Sequence, residues 1–120
     1  MAGIKLVTDA APDKSLEIAW RVAQDQGFAL TPVQDGAFQA SKGHALWTVL
    51  AGAVALYCNF KITAQRYGDN TTDVVLERAV SWTSGMIGLR RTKAEADTLM
   101  QKVAQALEKD GSKVLERKEI

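Results

Sequence analysis

The chain has a single cysteine, Cys58, among its 120 residues, so it can form no intrachain disulfide. It has one histidine, His44, and a lone His with a lone Cys cannot fill a tetrahedral zinc shell. No metal or other cofactor is therefore expected. Proline is nearly absent too: Pro12 and Pro32 are the only two, so few segments are barred from helix or strand by a missing amide donor. Charge of one sign is also missing. Lys and Arg number 15 against 14 Asp and Glu, and the halves split four to five and eleven to nine. A long basic footprint is absent, which argues against nucleic acid as a partner. Residues 1–8 hold no apolar stretch of signal-peptide type, and one unpaired cysteine fits a reducing compartment, so the cytoplasm is the expected location.

A hydrophobic run of membrane length is lacking as well. The longest candidate, residues 45–60 (ALWTVLAGAVALYCNF), falls short of the roughly 17–20 apolar residues a spanning helix needs. Thr48, Gly52 and Asn59 interrupt it, and its second half alternates like a strand. It is expected to be a buried loop that leads into a central strand, and a membrane is not an expected partner.

The residues that are present suffice for one core. The hydrophobic fraction is 47 % and the charged fraction 24 %, so the chain is expected to fold as a single domain over residues 1–120. GIKLVT (3–8) is a strand candidate. Pro12 and Asp13 suit a first helical turn, and Leu16, Ala19, Trp20 and Ala23 follow as one apolar stripe that Gly27 closes. FALTPV (28–33) is a second strand, placed at an edge or ended by Pro32. Asp35-Gly36 is a hairpin signal, with AFQAS (37–41) returning.

Cys58, Phe60, Ile62 and Ala64 then alternate with Asn59, Lys61, Thr63 and Gln65, a period of two that places one face in the core and one in water. Gly68-Asp69-Asn70 is the turn, and residues 72–82 return with Val74, Leu76, Val80 and Trp82 on one side. Arg78 falls on that side too, which requires a sheet end with a packed stem or a bulge. Residues 84–91 read as a loop. Thr92-Lys93-Ala94-Glu95 reads as a capping box that opens the last helix, with Ala96, Leu99, Met100, Val103 and Leu107 as its stripe and Gly111 as its stop. The tail from Lys113 is left as a short edge strand or a frayed end.

The resulting order, β-α-β-β-β-β-α, predicts a two-layer α+β sandwich: an antiparallel sheet with two helices on one face. That order resembles a TATA-binding-protein-like architecture. The helix-grip proteins, whose last long helix lies against a sheet, are the alternative. No motif residues carry either resemblance, so neither implies a function.

Two segments stand out for binding. Residues 85–93 combine Gly85 and Gly88 with Arg90, Arg91 and Lys93 at a predicted helix start, where free amides and the helix dipole favour an anion. Neither a Walker loop nor a dinucleotide-binding glycine motif is present. His44, Leu46, Trp47 and Leu50 form an apolar segment suited to a pocket or an interface. No residue is singled out as catalytic, and Cys58 on an inward strand face behaves as a small hydrophobe.

The expectation is a binding or interaction module that holds a small ligand or forms a homo-oligomer. The alternative is a small cyclase- or hydrolase-like enzyme with an apolar cavity, which would use Tyr57, Tyr67 and His44.

Overall fold

The structure, a computed structural model, describes residues 3–34, 36–42, 58–78 and 85–120, with the side chains of residues 34, 42, 58 and 85–92 left aside. Strand β1 (Gly3–Thr8) leads into helix α1 (Pro12–Asp25). Four strands follow: β2 (Ala29–Gln34), β3 (Ala37–Lys42), β4 (Cys58–Tyr67) and β5 (Thr71–Arg78). Helix α2 (Gly85–Lys109) and strand β6 (Val114–Glu119) complete the order. All six strands pair antiparallel in the spatial order β2-β3-β4-β5-β1-β6. The predicted α+β class, the antiparallel sheet and its two helices are all present. The tail is a strand, paired with β1 at one edge of the sheet.

Alternation along the strands sets the layers. Ile4, Leu6, Phe38, Phe60, Ile62, Val74 and Leu76 point to one face, where they form a single buried cluster with Ala19 and Ala23 of α1 and with Leu99, Met100, Val103 and Leu107 of α2. Both helices therefore lie on the same face, α1 over β2 to β5 and α2 over β1, β4 and β6. The Trp20 ring meets Phe38 edge-on at a centroid distance of 5.2 Å, a favourable quadrupole arrangement. Trp20 is thus a packing residue.

Both helices stop in the same way. The Phe28 amide donates to Ala23 O and the Gly27 amide to Gln24 O; at the end of α2, Ser112 and Gly111 repeat this pattern to Leu107 and Glu108. The turn needs a left-handed residue, and Gly27 (φ +89°) and Gly111 (φ +95°) supply it without a Cβ penalty.

The start of α2 corrects the sequence reading. The helix begins at Gly85, so Thr92 lies seven residues inside it and the Thr92–Glu95 pair does not cap its N-terminus. Residues 85–91, expected as a loop, are helical. Arg78 is settled as well. It pairs with Phe60 in a register uninterrupted from Tyr67 and Thr71 onward, so no bulge shifts it. The predicted continuation through Val80 and Trp82 falls outside the described residues, as do 43–57. No helix among the described residues is long and apolar enough to cross a membrane.

A polar clasp closes the end of the sheet where β1 runs into α1. Thr72 Oγ1 donates to Ala10 O at 2.6 Å and Thr8 Oγ1 to Lys113 O at 2.7 Å, both hydroxyls being fully buried. The Lys113 amide donates to Asp9 Oδ1 at 2.7 Å. Lys14 Nζ and Asp110 Oδ2, 2.7 Å apart, tie the start of α1 to the end of α2. Their hydrogen bond, followed by the charge of Asp110, raises the Lys14 pKa above its ordinary 10.5. That small stabilisation is present below pH 10.5 and is lost as pH rises through the raised value. Thr72→Val keeps the shape but strands a buried carbonyl. It is expected to cost about 1–3 kcal/mol in denaturant unfolding, and an unchanged midpoint would remove the clasp from the account.

Candidate functional site

Alternation that buries one face of the sheet presents the other. Across its middle, Lys5 lies opposite Val75, Val75 opposite Thr63, and Thr63 opposite Ala37. To one side Glu77 faces Lys61, a directly opposed pair of unlike charges, and Lys61 faces Gln39. To the other side Val7, Asp73 and Gln65 form the next row. β6 adds Glu116 beside Val7 and Lys118 beside Lys5. The face thus carries three lysines (Lys5, Lys61, Lys118) and three acids (Asp73, Glu77, Glu116). Lys5, Lys61 and Asp73 are half-exposed, and Glu77, Glu116 and Lys118 are exposed. Both helices join the opposite face, so no described element packs here.

Among the described residues, two shielded acceptors on this face have no hydrogen-bond partner, Asn59 Oδ1 and Asp73 Oδ1. Buried polar atoms in folded proteins are nearly always paired, so these two stand out on this face. The sequence placed Asn59, Lys61, Thr63, Gln65, Asp73 and Glu77 on a wet face by period two, and the register puts all six on the face opposite the helices. It gave no sign of the unpaired acceptors, because these depend on cross-strand neighbours.

Of the segments singled out for binding, only residues 85–93 are described, and the other is flanked by the ends of β3 and β4. Lys42, at the end of β3, is in register with Cys58, at the start of β4, and Arg78 ends the adjacent β5. The chain therefore leaves for residues 43–57 and for 79–84 from neighbouring strand ends. His44, Leu46, Trp47 and Leu50 lie outside the described residues. Gly85, Gly88, Arg90 and Arg91 are helical residues of α2, so the chain is already helical ahead of Thr92. Lys93 is exposed, and its Nζ lies 3.7 Å from Glu119 Oε1 of β6.

Tyr67 is 67 % exposed at the far end of β4, beside the Gly68 turn. Tyr57 lies outside the described residues. The buried hydroxyls of Thr8, Thr72 and Ser15 all donate to main-chain carbonyls, so they hold the fold together. Among the described residues no group of His, Cys, Asp and Glu is placed to hold a metal ion.

A second depression runs along the seam between the helices on their outer side. Two adjoining hollows of about 270 Å³ each share Val22, Asp25, Ala106 and Lys109. Both are open, with an apolar floor and charged rims. Sequence reading missed this seam because Val22 and Ala106 lie beside the helices' core stripes.

Fold and surface together define a two-layer α+β protein with one sheet face that no described element covers. The chain matches no known family model, and no curated protein is similar to it in sequence.

Proposed function

We propose that the protein is a non-enzymatic binding module whose recognition surface is the open face of the sheet. The observation that carries this reading is the pair of shielded, unpaired acceptors, Asn59 Oδ1 and Asp73 Oδ1, on a face that no described element covers. Each unpaired buried acceptor costs about 1–3 kcal/mol, which a ligand bearing hydrogen-bond donors would offset once the side chain turns its oxygen outward. The balanced charges of Lys5, Lys61, Lys118, Asp73, Glu77 and Glu116 favour a polar, mixed-charge partner or ligand over a polyanion. The two helices share one face of the antiparallel sheet, which leaves the other face to a partner, and one cysteine fits a cytoplasmic protein.

The test is amide chemical-shift mapping with a library of small polar fragments rich in donors. Shifts are expected to cluster at Lys61, Thr63, Asp73 and Val75, and Asp73→Ala is expected to weaken them. Shifts confined to Val22 and Ala106 would move the binding surface to the helix seam.

A further inference from the structure

The edge strand β6 has a pairing direction and a charge pattern that fit one specific occupant. Gly3 and Ile120 exchange both main-chain hydrogen bonds, Gly3 N to Ile120 O at 3.1 Å and Ile120 N to Gly3 O at 3.0 Å. Such mutual pairs recur at every second residue of an antiparallel ladder, so Lys118, and then Glu116, also direct their main-chain groups at β1. The N–H and C=O groups of Arg117 and Glu119 therefore point away from the sheet, where no described strand meets them.

Charges on the two sides of β6 differ in the same orderly way. On the helix side, Arg117 Nη2 lies 3.3 Å from Asp97 Oδ1 of α2, and Glu119 pairs with Lys93. Those charges are matched within the protomer. On the open side, Glu116 and Lys118 belong to no ion pair among the described residues. The opposite edge, β2, is less suited to pairing, because it carries Pro32 and an irregularity just after it.

We infer that β6 pairs antiparallel with β6 of a second copy of this chain, about a two-fold axis through Arg117, joining the two sheets into one. Only the outward-facing residues can exchange main-chain bonds, which restricts the registers to steps of two. With Arg117 opposite Arg117 of the second copy, Glu116 faces Lys118 of the second copy, and Lys118 faces its Glu116. These pairs fall at non-hydrogen-bonded positions, where opposed side chains stand closest. Two unlike-charge contacts form, and Asp97 neutralises each Arg117. A slip by two residues either way sets Glu116 against Glu116 or Lys118 against Lys118, so a single register is favoured. The irregularity beside Leu115 ends the ladder on one side and keeps it short. A charged edge generally guards against pairing, and this sequence is complementary to its own copy in one register. The inference stands independently of the open-face reading.

The experiment is sedimentation equilibrium of the full chain at low salt, over concentrations up to the millimolar range. The wild type is expected to approach twice the monomer mass as concentration rises. Glu116→Lys and Lys118→Glu are each expected to remain monomeric, because each then presents like charges to its own copy. Mixing these two variants is expected to restore the dimer, since every opposed pair becomes Lys against Glu. Arg117→Pro removes an amide that faces away from β1, so it is expected to stay folded by circular dichroism and to be monomeric. A wild type that remains monomeric throughout would overturn the inference, as would a dimer that survives Arg117→Pro and both charge reversals. If a single variant unfolds, the fold-retaining Arg117→Pro and the wild-type salt dependence decide the matter: a dimer insensitive to both refutes it.

Discussion

Phe60→Ala is expected to remove about 3–5 kcal/mol of unfolding free energy. The ring is fully buried at the centre of the cluster, with the Phe28 ring 5.9 Å away. Phe60 lies on β4, the strand between β3 and β5, opposite Ala40 on one side and Arg78 on the other. No neighbour can collapse into the space without breaking that register, so the cavity cost adds to the lost transfer energy. Against a typical total of about 5–15 kcal/mol, much of the population would unfold. Tyr67→Ala, on the same strand but largely exposed, is expected to change stability by no more than about 0.5 kcal/mol. Chemical denaturation of the two variants checks the contrast. Equal losses would mean that β4 is not oriented as described.

Gly3→Ala is expected to cost about 1–3 kcal/mol, a large effect for one added methyl group. An ideal Cβ at Gly3 would lie 2.1 Å from the Leu76 carbonyl oxygen and 3.1 Å from its carbon. That atom is main chain in β5, held on both sides by β4 and β1, so no side-chain rotation relieves the clash. The start of β1 must swing away from β5, and the mutual Gly3–Ile120 bonds are strained as it does. Faster hydrogen exchange at the Gly3 and Ile120 amides, with little change at Phe60, is the expected local signature. A neutral Gly3→Ala with unchanged exchange would refute the close approach.

Local physics made most of the elements legible. Period-two burial in β4 and β5, the 3–4 stripe of α2 and the glycine stops are each set within about ten residues. Thr92–Glu95 misled because a capping box is only two residue types at a spacing, and the same letters occur inside helices. Met86 and Leu89 continue the period of the Ala96–Leu107 stripe backwards, and weighing them against Gly85 and Gly88 would have started the helix earlier. The place of β1 between β5 and β6 was not legible, because both pairings join residues about seventy or more positions apart. The strand character of β6 was hidden by the irregularity beside Leu115, which breaks its alternation. The open face was legible as polar, whereas its unpaired acceptors and the outward direction of the Arg117 amide arise only from register.

The central claim is that adjacent residues of β4 look onto opposite worlds, one sealed by two helices and the other covered by no described element. Thiol labelling of Lys61→Cys and Ile62→Cys, each made in a Cys58→Ser background at a concentration low enough to keep the chain monomeric, tests it most directly. The account predicts labelling near the rate of an exposed thiol at position 61 and protection at position 62 that is lost only on unfolding. Equal protection at both positions would contradict it.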